Sequence, residues 1–176
     1  MVPGRVFLLT GSPADEDRCD ALRQLLAAQG TPAEVLVGRD GLGQIARVLA
    51  HAELLVSVNT GNMHLGAILG VPTVSINGPT APHRWGAVGP RVANVCPADG
   101  SGGFLDLGFE FGGHSEHTME NILVEDVLRA IHSLCGVQND DGSAMKHPRR
   151  EAASSRASDG PLLPKHTTLL NSGRGA

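Results

Sequence analysis

The amino-acid sequence predicts an α/β fold, a Rossmann-like parallel sheet with helices on both of its faces. Short unbroken apolar runs, such as residues 6–10 (VFLLT), are typical of strands buried on both faces. These runs alternate with amphipathic stretches of helical length, which is the pattern of repeated βαβ units. The chain is 41% hydrophobic but only 3% aromatic, so its core is aliphatic, as in α/β layers.

The elements follow one another regularly along the chain. Acidic residues 15–17 precede the first helix, where their charge complements the helix dipole, and Gly30 ends that helix. A final amphipathic helix closes the pattern. The strands are predicted at residues 6–10, 34–37, 52–58, 73–76 and 92–95, with helices around Leu22, around Val48, at 63–69 and at 124–134.

The chain is predicted to form one domain followed by a tail. The domain covers residues 1–135 and includes a Gly-rich, irregular segment at 97–118. Residues 136–176 are rich in Ser, Gly, Arg, Asp and Pro. Such a composition buries too little apolar surface to offset the entropy of ordering, so a disordered tail is predicted there.

Charge, cysteine content and hydropathy exclude several classes of protein. A net charge of −4 and a pI near 6.0 give no basic field, so no nucleic-acid partner is predicted. The three cysteines are widely separated and odd in number, which fits a reducing compartment better than a disulfide framework. No apolar stretch approaches the ~18–20 residues of a membrane helix, and no signal-peptide pattern is present. We therefore expect a cytoplasmic protein with no integral membrane segment.

The first candidate site is the turn at residues 59–62, which ends one strand and opens a helix. Gly61 permits positive φ and close approach of a ligand to the backbone. Free N–H groups from Gly61 to His64, with the helix dipole behind them, would form an anion site for a phosphate or diphosphate. The Thr60 hydroxyl would either donate to that anion or cap the helix. An ordinary N-cap turn is the alternative, and it is the commoner meaning of an isolated Thr-Gly pair.

A second polar turn, at residues 77–80, should lie at the same edge of the sheet, where α/β proteins bind nucleotides. Gly78 and Pro79 fix its backbone, and Thr80 is placed to face the same cleft as Thr60. Asp15 follows the first strand at this edge. Its carboxylate would accept hydrogen bonds from a ribose diol, or it would simply serve as the charge at a helix N-terminus.

Other side chains near these turns also have more than one possible role. His64 would donate to a phosphate oxygen or a sugar hydroxyl, or it would be a hydrogen-bonded structural histidine. Arg84 would bind phosphate, and Trp85 would either stack on a base or pack at the edge of the domain. No metal site is predicted, because His64 has no His or Cys partner at i+4. The His114–His117 cluster is read as a solvated surface.

Residues 57–86 closely resemble the hallmark pattern of glycosyltransferase family 9, which includes the ADP-heptose:lipopolysaccharide heptosyltransferases. Asn59 stands where the family pattern has Asp, and Asn62 stands where Pro is common. The resemblance covers roughly residues 4–135. The matching positions are Thr60, Gly61, Met63, His64, Leu65, Leu69, Gly70, Pro72, Val74, Gly78, Pro79, Thr80, Trp85 and Gly86.

The resemblance implies that the chain is equivalent to the C-terminal half of a GT-B fold, the half that binds a nucleotide-sugar donor. It implies inverting, metal-independent glycosyl transfer, from ADP-heptose or another nucleotide-diphosphate sugar, to a glycan or lipid acceptor, without a cofactor. The residues it assigns to the donor are Asn59, Thr60, Gly61, Asn62, Met63, His64, Asp15, Gly78 and Thr80.

The same resemblance leaves the catalytic residue unassigned. In this family the N-terminal domain binds the acceptor and supplies the general base, and we expect that domain to be missing from this chain. The alternative is therefore a non-catalytic nucleotide-binding or interaction module that pairs with a separate acceptor-domain protein. A nucleotide-sugar epimerase is a weaker third reading, since the Thr-Gly-x-Met-His-Leu pattern argues against it.

Overall fold

A computed structural model of the chain describes residues 6–38, 41–107, 117–136 and 167–171. Within these residues the strands form one six-stranded sheet in which every pair is parallel. The spatial order is β2-β1-β6-β3-β4-β5. The strands are β1 Val6–Gly11, β2 Ala33–Val37, β3 Ala52–Val58, β4 Thr73–Ile76, β5 Val92–Val95 and β6 Thr167–Asn171. A 3₁₀ turn covers Pro13–Asp15, and the helices are α1 Glu16–Ala28, α2 Leu42–Leu49, α3 Gly61–Ile68, α4 Pro82–Trp85 and α5 Val124–Cys135.

Helices cover both faces of this sheet, because successive residues of β3 pack on opposite sides. Leu55 is fully buried in a cluster with Leu49, at the end of α2. Its neighbours Leu54 and Val56 belong to a second cluster, against which the apolar stripe of α5 packs. Alternation of side chains across a strand produces this arrangement. The predicted fold class is confirmed, and the predicted elements lie close to the observed ones.

The β3-α3-β4 unit is compact because small residues allow the helix to approach the sheet. A β-carbon at Gly66 would lie 2.5 Å from a methyl carbon of the fully buried Leu55, so any larger residue at this crossing would displace a core side chain. Gly70 then turns the chain at φ +78°, a conformation that favours glycine, and leads it into β4. β3 and β4 pair in register from Leu55 opposite Thr73 to Val58 opposite Ile76. The two polar turns that follow these strands therefore start side by side.

One part of the tail prediction is wrong. β6, Thr167–Asn171, lies within the segment predicted to be disordered, yet it occupies the sheet between β1 and β3. The prediction averaged composition over the whole segment, in which Thr-Thr-Leu-Leu is a short run of good strand formers. Strands on both sides pair its backbone, which a composition argument cannot foresee. The rest of that segment beyond Gly136 lies outside the described residues, as do residues 108–116.

Candidate functional site

The two polar turns, called here the first turn (residues 59–62) and the second turn (residues 77–80), meet at the carboxyl edge of β3 and β4. The side-chain amide Nδ2 of Asn59 donates to Oγ1 of Thr80 at 3.1 Å. This hydrogen bond joins residues that are 21 positions apart in the chain. The prediction that both turns share one edge, with Thr80 facing the first turn, is confirmed.

The start of α3 leaves two backbone donors unused. The N–H groups of Met63 and His64 both donate to the carbonyl of Thr60, at 3.1 and 3.3 Å. The Thr60 side chain makes no capping hydrogen bond. In the part of the chain that the structure describes, the N–H groups of Gly61 and Asn62 therefore have no acceptor. The predicted run of free N–H groups from Gly61 to His64 is thus too long, because His64 makes the first α-helical bond to the Thr60 carbonyl and Met63 makes a 3₁₀-type bond to the same oxygen.

Gly61 contributes open space rather than an unusual backbone conformation. It is not among the described glycines with positive φ, so it does not use the conformational freedom that glycine permits. A β-carbon built at Gly61 would meet nothing within 4 Å. A ligand oxygen can therefore approach the two unused N–H groups without displacing protein atoms.

The next two residues of α3 face different surroundings. The side chain of Met63 is fully buried with Ala67 and Ala87, so it anchors the helix in the core. The predicted contact between Met63 and the donor could therefore involve only the backbone of Met63, not its side chain. His64 is half-buried one position further along the helix. At the same turn, Oγ of Ser57 lies 3.3 Å from Oγ1 of Thr60, within hydrogen-bond distance.

The second turn is covered where the first is open. A β-carbon at Gly78 would overlap the thioether of Met119, and the Gly78 carbonyl accepts from the N–H of Gly103 at 2.9 Å. Asn77 is fully buried and donates to Ser75 O at 3.1 Å. Gly78 is therefore a packing position. It is buried in this geometry, so it has no exposed surface for the predicted contact with the donor.

Residues 102–106 run beside the second turn, a neighbour that sequence reasoning did not identify. The N–H of Leu105 donates to Pro79 O at 2.8 Å, and the N–H of Ala81 donates to Leu105 O at 3.0 Å. The segment was predicted only to be irregular, because its glycines give no strand periodicity. The one available signal was Phe104-Leu105, a short apolar pair inside a polar stretch.

Helix α4 is tied to the same segment. The indole N–H of Trp85 donates to Asp106 O at 2.7 Å, and Nε2 of His83 lies 2.9 Å from Oδ1 of Asp106. Trp85 remains 37% exposed. Of its two readings, edge packing is the one that these contacts support. Arg84 is exposed on the same short helix.

The comparisons with known proteins agree with this arrangement. The family model of glycosyltransferase family 9 (heptosyltransferase) matches residues 4–101, more than half of the chain. The chain belongs to glycosyltransferase family 9. The matched residues include β1 to β5 and both turns.

Several relatives carry the same family's activity in their names. Lipopolysaccharide heptosyltransferase 1 of Salmonella typhimurium is 35% identical over 108 residues, which are 61% of this chain and 32% of that protein. The protein of the same name in Pseudomonas aeruginosa is 42% identical over 84 residues, 48% of this chain and 22% of that protein. This family 9 chain therefore spans about a third or less of the length of these curated relatives.

The same architecture exists in a solved structure. The crystal structure of the glycosyl transferase family 9 from Veillonella parvula matches with a TM-score of 0.53 at 22% identity. The match covers 74% of this chain and 36% of that one. At this identity the likeness establishes the fold alone, a Rossmann-like half of the GT-B architecture.

Asp15 of this family 9 chain has a local structural role. Its side chain is only 3% exposed, and its Oδ2 accepts from the N–H of Ser12 at 2.9 Å and from the Ser12 hydroxyl at 2.6 Å. This is the helix-start role that the sequence left open beside ribose binding. Ribose binding stays a prediction, and it would require the exit loop of β1 to open.

A polar cluster fixes the loop that covers the second turn. The Ser101 hydroxyl and N–H lower the pKa of Asp99, and Asn121 Nδ2 donates to Asp99 Oδ2 at 3.2 Å. Burial raises the pKa of the Cys96 thiol nearby in the chain.

Among the residues that the structure describes, no three His, Cys, Asp or Glu side chains are grouped to hold a metal ion. None of the described helices is long and apolar enough to cross a membrane.

Proposed function

We propose that this chain is the donor-holding half of a family 9 glycosyltransferase and that its first turn binds the diphosphate of a nucleotide sugar. The observation that carries the proposal is the pair of unused N–H groups, of Gly61 and Asn62, in open space at the start of α3. A helix N-terminus attracts negative charge through these groups and through its dipole. The family to which the chain belongs transfers glycosyl groups, and such transfer releases an anionic diphosphate.

The Asn59–Thr80 hydrogen bond decides whether the hydroxyl proton of Thr80 is available to a ligand. Because Asn59 donates to Oγ1 of Thr80, the Thr80 hydroxyl keeps its own proton for another acceptor. An aspartate at position 59 would instead take that proton. We infer that Asn59 turns the Thr80 hydroxyl into a donor toward a phosphate oxygen, with Thr60, His64 and the backbone of residues 61–63 around the same group.

This arrangement supports metal-independent transfer with inversion. Two backbone donors, a helix dipole and hydroxyl groups stabilise the charge that develops on the departing nucleoside diphosphate. Inversion also needs a general base at the acceptor hydroxyl. We assign no such base within the described residues, since Asp15 is buried and already accepts twice from Ser12. The base would come from the acceptor half of the enzyme.

The donor proposed for testing first is ADP-heptose, and the acceptor a glycan or lipid. We expect the 176-residue chain to bind the donor and to transfer its sugar very slowly or not at all. Calorimetric titration with ADP-heptose, ADP and UDP-glucose, each with EDTA and with Mg²⁺, tests binding. Equal affinity for ADP-heptose under both conditions is expected. Absence of binding by every nucleotide, or binding that requires Mg²⁺, would refute the proposal.

A second candidate is a non-catalytic module that binds nucleotide and pairs with a separate acceptor-domain protein. The favouring observation is apolar exposure around α4, where Trp85, Val88 and Leu107 are 37%, 78% and 47% exposed. Clustered exposed apolar side chains mark interaction surfaces. The two candidates separate in a transfer assay with a purified family 9 acceptor domain added. Turnover that appears only with the added domain supports the transferase, and binding without turnover supports the module.

A further inference from the structure

The sheet consists of two parts that a single strand joins. β1 pairs with β2 on one side, and β3 pairs with β4 on the other. In the described sheet β1 and β3 do not pair with each other, and each pairs with β6 instead. Without β6, these two strands would face each other across a gap one strand wide. We call this gap the strand slot.

The strand slot is matched to β6 along its whole length. On one side the register runs from Val6 opposite Thr167 to Thr10 opposite Asn171. On the other side it ends with Ser57 opposite the same Asn171, after a shift between Ala52 and Leu54. Both pairings are parallel. β6 therefore satisfies both neighbours at once in a single parallel register.

The walls of the strand slot lie in the most buried part of the molecule. Leu9 in β1 is 1% exposed, and Leu55 and Ser57 in β3 are 0% and 1% exposed. Backbone N–H and C=O groups in such surroundings must be paired, because an unpaired buried group costs free energy comparable to a lost hydrogen bond. An empty slot would also present two strand edges, which are templates for pairing with any extended chain.

In the strand order, the slot is the position that the first strand occupies in doubly wound sheets. Doubly wound sheets of the Rossmann type have the order 3-2-1-4-5-6. Here the order is β2-β1-β6-β3-β4-β5, so β1 to β5 stand where strands two to six stand in that order. β6 takes the place of strand one, although it comes last in the chain. Thirty residues, 137–166, separate it from the preceding described segment.

We propose that the strand slot is a peptide-binding site, filled in cis by residues 167–171, and that the same sequence supplied as a separate peptide binds there by parallel strand addition. Strand addition draws affinity from main-chain hydrogen bonds and specificity from alternate side chains. A strand tethered to its own slot has an effective concentration of roughly millimolar. At micromolar protein concentration, β6 of the same chain therefore outcompetes β6 of a second copy. This inference does not depend on nucleotide binding.

The location of the slot links it to the candidate site. Asn171, the last residue of β6, lies between Thr10 and Ser57, at the carboxyl edge that carries the first turn. The order of the sheet reverses at this point, where doubly wound proteins bind their ligands. An occupied slot therefore fixes the spacing between the exit loop of β1 and the first turn.

The test begins with the intact full-length chain in hydrogen exchange. We expect amide protection at 167–171 that approaches that of β3, because both are central strands. Rapid exchange at 167–171 beside a protected β3 would overturn the proposal. This measurement needs no variant, so it remains decisive even if the next step disturbs folding.

The second step places a protease site within residues 150–156 of the full chain and cleaves it after purification. We expect the C-terminal fragment to co-elute with the rest and to exchange with a labelled peptide of residues 164–173 (PKHTTLLNSG). A matched peptide with Leu169→Pro removes one ladder donor and should bind at least ~10-fold more weakly. A dimer that forms at high concentration by exchange of this strand supports the slot. Loss of the fragment, or equal binding of the two peptides, contradicts it.

Discussion

The first and second turns look alike in the sequence, but only one of them is open. Each follows a buried strand, contains Gly and Thr, and precedes a helix. At the first turn a β-carbon on Gly61 meets nothing, whereas at the second turn a β-carbon on Gly78 meets Met119. The neighbours make the difference, because residues 102–106 and 117–122 come from far along the chain to cover the second turn. Two similar motifs at one sheet edge thus differ in access: the first turn is open, and the second is covered and joined to the first through the Asn59–Thr80 hydrogen bond.

The largest expected effect concerns the core side of the first turn. Met63→Ala should lower the free energy of unfolding by about 2–5 kcal/mol, since it empties a fully buried site. Asn62→Ala, one position earlier and half-buried, is the control and should stay within about 0.5 kcal/mol. Urea denaturation measures both. Equal stabilities of the two variants would mean that α3 is not anchored as described.

The next effect contrasts the two turns directly. A β-carbon at Gly102 would lie 2.6 Å from Gly78 O and 2.6 Å from the Pro97 ring, so Gly102→Ala should cost about 1–3 kcal/mol. Gly61→Ala should leave stability within about 0.5 kcal/mol, because the added methyl group enters open space. Thermal unfolding of the pair checks this. A destabilised Gly61→Ala with an unaffected Gly102→Ala would reverse the assignment of open and covered turns.

A smaller effect is expected at the link between the turns. Thr80→Val removes the acceptor of the Asn59 amide and the proposed phosphate donor, so ADP affinity should fall roughly 5- to 10-fold, about one hydrogen bond. Thr80→Ser keeps the hydroxyl and should retain the affinity. Calorimetric titration at a temperature where both variants are folded gives the comparison. Undiminished binding by Thr80→Val would remove Thr80 from the site.

The smallest effect concerns pH and the loop over the second turn. Hydrogen bonds from Ser101 lower the pKa of Asp99 in the folded chain, so its stabilising contribution is present above about pH 4 and disappears as the pH falls further. Asp99→Asn should therefore show a slightly shallower loss of melting temperature between pH 5 and pH 3 than the wild type. Parallel pH profiles would show that the exposed cluster contributes nothing to the loop.

Much of the fold follows from local patterns, and the missing parts are non-local. Buried parallel strands are continuous apolar runs, so 73–76 and 92–95 were predicted with the observed bounds. β6 was missed because five residues become a strand only when β1 and β3 flank them. Similarly, the sequence indicates that Gly61 starts a helix, but it contains no sign that Met119 covers Gly78. The open or covered state of a turn depends on such distant partners.

The central claim is that the N–H groups at the first turn hold a diphosphate. It is tested most directly by titrating ADP and AMP into the wild type and into Gly61→Val, whose side chain fills the space above those groups. We predict that the wild type prefers ADP over AMP and that Gly61→Val loses at least ~10-fold in ADP affinity, about 1.4 kcal/mol, and with it most of that preference. Its melting temperature should stay close to that of the wild type. Equal ADP affinity of the two proteins would contradict the claim.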